Sequence, residues 1–219
     1  MVRSAPPVRR HRNSHWGVWV TRDGWRFEGP RVDNHFSSTL CSSSRAVVRS
    51  PDGHTYDGAM YLGKRHGRGV MRFEGGTAYD GWWREGFPSG PGLVQRISGH
   101  RLVGCFRHGL PHGICVETDS QGGVFVGDFV HGVKLGFGVL RSGLVSASPV
   151  AGHPLPAGVS DKVLVREFHV GSFAGNKPHG LGVRLYRDGS LCWGEWVYGE
   201  RNGYGVWEWP TGHRYDGEF

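Results

Sequence analysis

Residues 56–78 read YDGAMYLGKRHGRGVMRFEGGTA, and residues 79–101 read YDGWWREGFPSGPGLVQRISGHR. Laying Tyr56 over Tyr79 also lays Gly58 over Gly81, Met60 over Trp83, Gly63 over Gly86, Gly67 over Gly90 and Gly69 over Gly92, always 23 residues apart. A fixed period of that length marks an array of small units, each needing its neighbours to bury a hydrophobic face. Followed outward, the register gives openings at Tyr56, Tyr79, Leu102, Phe125, His169, Cys192 and Tyr215.

Each unit reads as a β-hairpin. Alternation from Tyr56 to Met60 and from Cys192 to Trp196 has the period of two of a strand. The tetrads HGRG (66–69), SGPG, HGIC, LGFG, HGLG and NGYG supply glycine, which suits a tight turn with positive φ, and the hairpin turn is expected there. An aliphatic residue follows every tetrad: Val70, Leu93, Val116, Val139, Val183 and Val206. So regular a column is expected to face the core, with Met60, Trp83, Phe106, Phe129, Phe173 and Trp196 as its companion on the opposing strand.

The pattern divides the chain into five stretches. Residues 1–13 form a flexible basic arm, and 14–55 hold degenerate repeats with a Ser-rich insertion around Ser37 to Ser44. Regular repeats fill 56–142. A Pro- and Gly-rich inserted loop spans 143–168, and the pattern resumes in phase over 169–219, its last unit opening at Tyr215 as YDGEF. Surface loops absorb such insertions at modest entropic cost. The unfinished last unit leaves a strand edge that a partner or a second copy is expected to cover.

Charge is unevenly placed. The net charge is +7, of which residues 1–50, with nine Arg against Asp23, Glu28 and Asp33, hold +6. The repeats are close to neutral and show no electrostatic footprint for DNA or anionic lipid. Cys41, Cys105, Cys115 and Cys192 form no CxxC pair, which fits a reducing, cytoplasmic compartment. No apolar run approaches the roughly 18 residues of a membrane span. Residues 1–22 lack acidic side chains, as transit peptides do, but Pro6 and Pro7 interrupt the helix such a peptide needs.

Repeats of the form YxGxW-xxG-xx(H/N)GxG, as in YDGAMYLGKRHGRG at Tyr56 and CWGEWVYGERNGYG at Cys192, resemble the membrane occupation and recognition nexus (MORN) repeat. The resemblance covers roughly residues 15–219 apart from the two insertions. It implies an all-β fold: an elongated, twisted antiparallel sheet of stacked β-hairpins, a MORN-repeat solenoid. Departures stand at Cys115, in place of a tetrad Gly, and at Leu102, His169 and Cys192, in place of the opening Tyr. A chain of 219 residues leaves no room for the lipid kinase or histone methyltransferase domains that accompany such repeats elsewhere.

Chemistry is sparse. His66, His112 and His179 share one repeat position, but His66 and His112 are two repeats apart, about 20 Å at four strand spacings, too far for one zinc ion. GKRHGRG lacks the Ser or Thr and the helix of a phosphate-binding loop, and no GxSxG, HExxH or kinase signature occurs. Asp57, Asp80, Glu85, Asp128, Glu195 and Asp216 read as solvated cross-strand partners. Neither catalytic residue, cofactor nor metal is expected.

Aromatic residues remain as the candidate partner-binding set: Tyr56, Tyr79, Trp82, Trp83, Phe106, Phe125, Phe129, Phe173, Trp196, Trp207 and Trp209. Adjacent Trp82 and Trp83 face opposite sides of a strand. The expected role is a non-enzymatic scaffold that binds other proteins of a large assembly. Similarity to repeat proteins of ciliary spokes points to an axoneme or another cytoskeletal structure, with Arg3, Arg9, Arg10 and Arg12 docking on an acidic surface such as tubulin. A phosphoinositide membrane tether, and after it a subunit of an organellar ribonucleoprotein, are the alternatives.

Overall fold

The computed structural model describes residues 15–31, 45–143 and 167–219. Its strands are β1 (His15–Val20), β2 (Arg26–Arg31), β3 (Arg45–Arg49), β4 (Thr55–Tyr61), β5 (Lys64–Arg72), β6 (Ala78–Arg84), β7 (Phe87–Gln95) and β8 (Arg101–Arg107). There follow β9 (Leu110–Thr118), β10 (Val124–Val130), β11 (Val133–Arg141), β12 (Phe168–Ala174), β13 (Lys177–Leu185), β14 (Leu191–Val197), β15 (Glu200–Glu208) and β16 (Arg214–Glu218). All belong to one 16-stranded open sheet whose spatial order is the chain order, each strand antiparallel to its neighbours. No helix occurs among the described residues.

The arm over 1–13, the Ser-rich stretch and residues 144–166 of the insertion lie outside the described residues. Around that insertion β11 pairs directly with β12, Val139 opposite Val170, and the Ser142 N–H donates to the Glu167 carbonyl at 2.8 Å. The insertion thus leaves from a hairpin end without breaking the sheet.

Two turn types alternate along the chain. The tight one lies at Leu62–Gly63, Glu85–Gly86, His108–Gly109, His131–Gly132, Gly175–Asn176 and Tyr198–Gly199, where both residues have positive φ. That is the type I′ geometry, whose twist matches the flanking strands, and a glycine at one of the two positions relieves half the strain. The tetrads expected to form this turn do not: they lie inside β5, β7, β9, β11, β13 and β15. Between Gly58 and Met60 the β4–β5 register shifts, and Gly67 takes φ 69° in the resulting bulge. The second type is a loop closed by paired main-chain bonds, as where Phe73 donates to Thr77 at 2.8 Å. Tight turns also link to the preceding hairpin, the Gly86 N–H donating to the Arg65 carbonyl at 2.9 Å.

One face of this single layer is the core. Tyr56, Met60, Tyr79, Trp83, Phe106, Phe125, Phe129, Phe173 and Trp196 are buried on it. Their rings meet edge to face in a nearly continuous line: Tyr56–Trp83 at 5.5 Å, Trp83–Tyr79 at 5.1 Å, Tyr79–Phe106 at 5.1 Å, Phe125–Phe173 at 5.0 Å, His169–Trp196 at 5.0 Å. Each such pair adds about 0.5–1.5 kcal/mol to area burial. The Trp83 indole donates to the Gly69 carbonyl at 3.0 Å, and Arg65, Lys134 and Arg184 lie over the Trp83, Phe125 and Trp196 rings.

The rings lie in notches made by paired glycines. Gly81 stands opposite Gly92, and a Cβ on Gly92 would sit 2.5 and 2.6 Å from atoms of the Tyr79 ring. The third repeat fills the notch another way. Leu102 replaces the ring, and Cys115, opposite Gly104, fills the vacated space, 1% exposed.

The aliphatic column does not face this core, contrary to the sequence expectation. Val116, Val139 and Val183 lie on the opposite face, partly exposed, and of the column only Val206 is buried. Alternation explains it: Gly69 forms the notch under Tyr56, so Val70, next along the strand, points away.

Candidate interaction face

The face opposite the aromatic core has its own order. Residues opposite one another in register share a face, which runs from Val70 through Asp80, Leu93, Val103, Val116, Val126, Val139, Val170 and Val183 to Trp193. Beside this row lie the middle residues of the tetrads: Arg68, Pro91, Ile114, Phe137, Leu181 and Tyr204. Ile114 is 71% exposed, Phe137 61%, Leu181 70% and Tyr204 66%. These side chains stand on every second strand, about 10 Å apart, and the strands between them place Trp82, Cys105, Asp128, Ser172, Glu195 and Glu218 at the same level, so one apolar row runs beside a second in which apolar and polar side chains alternate. The unbroken apolar row from Leu93 to Trp193, with the exposed tetrad side chains beside it, is the kind of patch that marks interaction sites on soluble proteins.

The sequence signal for these rows was present. The third residue of each tetrad is apolar in five repeats of six, although a turn position is ordinarily polar. Reading the tetrads as turns hid it.

Of the eleven aromatics expected to meet a partner, Tyr56, Tyr79, Trp83, Phe106, Phe125, Phe129, Phe173 and Trp196 are buried among themselves and hold the sheet together. Trp207 packs on Tyr186 at 4.7 Å under Arg201. Trp82 (47% exposed) and Trp209 reach the surface, and only Trp82, opposite Arg68, belongs to the two rows. Trp82 and Trp83 do face opposite sides, while Trp209 follows β15 in a loop.

Charged groups on the exposed face are sorted along the sheet. Arg45 binds Asp57 and Arg68 lies 3.7 Å from Asp80, both cross-strand pairs between neighbours. Arg84 and Arg107 make no ion pair among the described residues. At the other end stand Glu195, Glu208, Asp216 and Glu218, with Arg214 on two of them. The near-neutral total therefore hides a basic N-terminal half and an acidic C-terminal end.

The aromatic face holds two polar clusters. Glu117 accepts from His100 Nε2 at 2.9 Å and Lys134 Nζ at 2.6 Å. Burial pushes its carboxyl up, but those two partners outweigh it and hold the group below its ordinary range. Glu167 pairs with Arg184. Both clusters rim the core rather than a cleft. At the N-terminal end, Trp25, Phe27, Val48, Met60 and Met71 line an open apolar hollow of about 530 Å³.

The described cysteines and the repeat histidines have structural surroundings. Cys115 and Cys192 are buried with thiols pushed above their ordinary range chiefly by that burial, the reverse of what a nucleophile needs. Cys115 is a hydrogen-bond donor to the Cys105 carbonyl at 3.7 Å, while Cys105 itself lies exposed. His66, His112 and His179 rest on Tyr61, His131 and Tyr198 at the tight turns. Among the described residues no group of three or more His, Cys, Asp or Glu could hold a metal ion, and no helix is long and apolar enough to cross a membrane.

His169 is the unusual buried polar group. It takes the place of the repeat's opening Tyr, neither ring nitrogen has a partner, and burial, with a lesser push from Arg184, lowers its pKa to about 4. The folded chain thus holds the ring neutral while the unfolded chain takes up a proton below about pH 6.5. Stability is full above that pH and falls as pH drops from about 6.5 toward 4. Between pH 7 and pH 5 the loss is about 2 kcal/mol. His169→Tyr should abolish it, since Tyr56 and Tyr79 each donate from the hydroxyl to the carbonyl three residues on, at 2.7 and 2.9 Å. Urea unfolding of both chains at the two pH values measures the difference; an equal loss in the variant would assign the effect elsewhere.

The family model described as MORN repeat matches residues 56–78, 79–101, 103–124, 125–143, 169–191 and 194–214, together more than half of the chain. No curated protein matches. One solved structure, described as the SAS-4 (dCPAP) TCP domain in complex with a proline rich motif of Ana2 (dSTIL) of Drosophila melanogaster, is 10% identical over 100% of this chain and 99% of its own. Its TM-score of 0.33 is too low to carry fold or function across.

Proposed function

Because this chain belongs to the MORN-repeat family, whose repeats serve generally in protein and membrane interaction, we propose that it is a non-enzymatic scaffold that binds other proteins. The observation that carries this reading is the exposed face, on which Ile114, Phe137 and Leu181 stand in solvent at one-repeat intervals while the opposite face supplies all of the core but Val206. A sheet needs no such side chains in water to fold. Burying them against a partner removes apolar area worth about 25 cal/mol per Å².

The assembly served is, in this reading, an axoneme or another cytoskeletal structure in the cytoplasm. The basic arm with Arg3, Arg9, Arg10 and Arg12 adds attraction to an acidic surface such as tubulin. The phosphoinositide alternative has less support. Each basic residue near an anionic membrane contributes about 1 kcal/mol, and the acidic end at Glu195 and Glu218 opposes it. The ribonucleoprotein alternative has less support too: the basic and aromatic neighbours of this face, Trp82 opposite Arg68 and Trp193 under Arg214, stand far apart along the sheet rather than as a stacking track.

Affinity capture from cell extract on the full chain and on an Ile114→Asp, Leu181→Asp variant tests the reading. Specific proteins should be retained by the first and lost by the second. Flotation with phosphatidylcholine vesicles containing phosphatidylinositol bisphosphate should leave the full chain unbound at physiological salt. Equal capture by both chains, or binding to the vesicles alone, would overturn the proposal.

A further inference from the structure

We infer that the apolar hollow at the β2–β5 end of the ring-bearing face is a binding site for a small apolar molecule carrying one carboxylate, which Arg65 holds. The site lies on the face opposite the tetrad side chains, so it stands or falls independently of the protein-binding reading above.

The hollow follows from the sequence of the first regular repeat. Where the later repeats set Trp83, Phe106 and Phe129, this one sets Met60, opposite Arg65. A methionine is narrower than a ring and leaves the line of rings open at this end. Val48, Met60 and Met71 are buried at the base, and Trp25, stacked on Phe27 at 6.3 Å, forms an exposed outer wall. The volume of about 530 Å³ falls among those of small-ligand sites, about 300–1,000 Å³. Methionine adapts its torsions to the shape that arrives, and its sulfur favours aromatic neighbours, so the base suits an aryl or alkyl body.

Arg65 supplies the charge. It is half-buried, with its guanidinium over the Trp83 ring at 4.6 Å. One Nη donates to the Gly86 carbonyl at 2.9 Å and the other to the Met71 sulfur at 3.6 Å, which leaves further N–H donors for a ligand. All of these partners are neutral, and no carboxylate pairs with Arg65 among the described residues. Burial accordingly holds its pKa below the ordinary range.

The array itself shows what a cation at this place takes when the chain provides it. Lys134 stands opposite Phe129 as Arg65 stands opposite Met60, and Glu117 stands opposite Phe125 as Val48 stands opposite Tyr56. Glu117 and Lys134 meet at 2.6 Å. In the first repeat Val48 occupies the carboxylate position, and the matching anion is left for a ligand to bring. Lys64 adds positive charge at the rim. The other titratable side chains of the lining are engaged: Asp23 with Thr21, His54 Nδ1 with the Glu74 N–H at 3.1 Å, and the Tyr56 hydroxyl with the Ala59 carbonyl at 2.7 Å. A guanidinium takes a carboxylate through two parallel N–H bonds, which fixes the head while the hollow encloses the body.

NMR of the Met60 and Met71 methyl groups in the full chain tests this, with phenylbutyrate as the probe and phenylbutanamide as its uncharged analogue. Phenylbutyrate should shift both methyl signals saturably, with half-saturation on the order of 1 mM, and the amide should bind at least about tenfold more weakly. Arg65→Leu should weaken phenylbutyrate by at least about tenfold and bring it level with the amide. Val48→Glu, which puts a carboxylate where Glu117 stands in its own repeat, should also weaken it, with circular dichroism confirming that both variants fold. The comparison of acid with amide on the wild-type chain needs no variant. The Ile114→Asp, Leu181→Asp variant should bind the probe as the wild type does, since its substitutions lie on the other face. No saturable shift up to about 10 mM, equal affinity for acid and amide, or full phenylbutyrate binding in a folded Arg65→Leu chain would overturn the inference.

Discussion

Trp83→Ala should lower the unfolding free energy by about 3–5 kcal/mol, whereas Trp82→Ala, one residue away, should lower it by about 1 kcal/mol or less. Trp83 is 3% exposed, meets Tyr56 and Tyr79 edge to face, lies beneath Arg65 and donates its indole hydrogen to the Gly69 carbonyl. Truncation removes a ring from between two hairpins and leaves a cavity that a stiff sheet cannot close. Trp82 stands half in water, its Cβ against Gly90. The loss at Trp83 should appear first in the repeats on either side, since each hairpin contacts only its neighbours. Urea titration of the two variants reads the contrast, and equal losses would mean that both faces contribute alike to the fold.

Gly92→Cys should destabilise by about 3 kcal/mol alone and by much less together with Tyr79→Leu. The notch formed by Gly81 and Gly92 holds the Tyr79 ring, so a side chain at 92 displaces the ring or separates the strands. The third repeat already carries the compensated pair, Leu102 with Cys115, in the same register opposite Gly104. Burial also pushes the Tyr79 hydroxyl up to about 12, which leaves the ring a neutral donor to the Trp82 carbonyl and its removal free of any charge effect near neutral pH. A double-mutant cycle in urea should give a coupling energy of about 2 kcal/mol in the favourable direction. Additive losses would show that ring and glycine are not exchanged for each other.

The 23-residue period made the array of hairpins legible, because any repeat of that length must stack to bury a face. Two of its details were misread for physical reasons. Glycine at four places in each repeat serves three purposes: Gly63 closes a turn, Gly67 shapes a bulge, and Gly58 with Gly69 makes room for a ring. Composition does not distinguish these, and the densest glycine cluster is not the turn. The regularity of Val70, Leu93 and Val116 is not burial. In a single-layer sheet the large rings close over one another, whereas short aliphatic side chains on the other face remain partly open to solvent, Val116 and Val139 among them, however regular they are. The alternation of ring-bearing notch and following aliphatic, Gly69 then Val70, held the answer. The charge sorting along the face was invisible to a net count, since Arg84, Arg107, Glu195 and Glu218 fall on one side only once the strand register is known.

The account turns on a division of labour: the ring-bearing face holds the fold and the tetrad face binds. The most direct measurement compares folding and binding in the Ile114→Asp, Leu181→Asp variant of the full chain, by urea unfolding alongside affinity capture. Both side chains lie mostly in solvent, so the unfolding free energy should stay within about 1 kcal/mol of wild type while capture is lost. A variant that unfolds, or one that folds and captures as the wild type does, would contradict it.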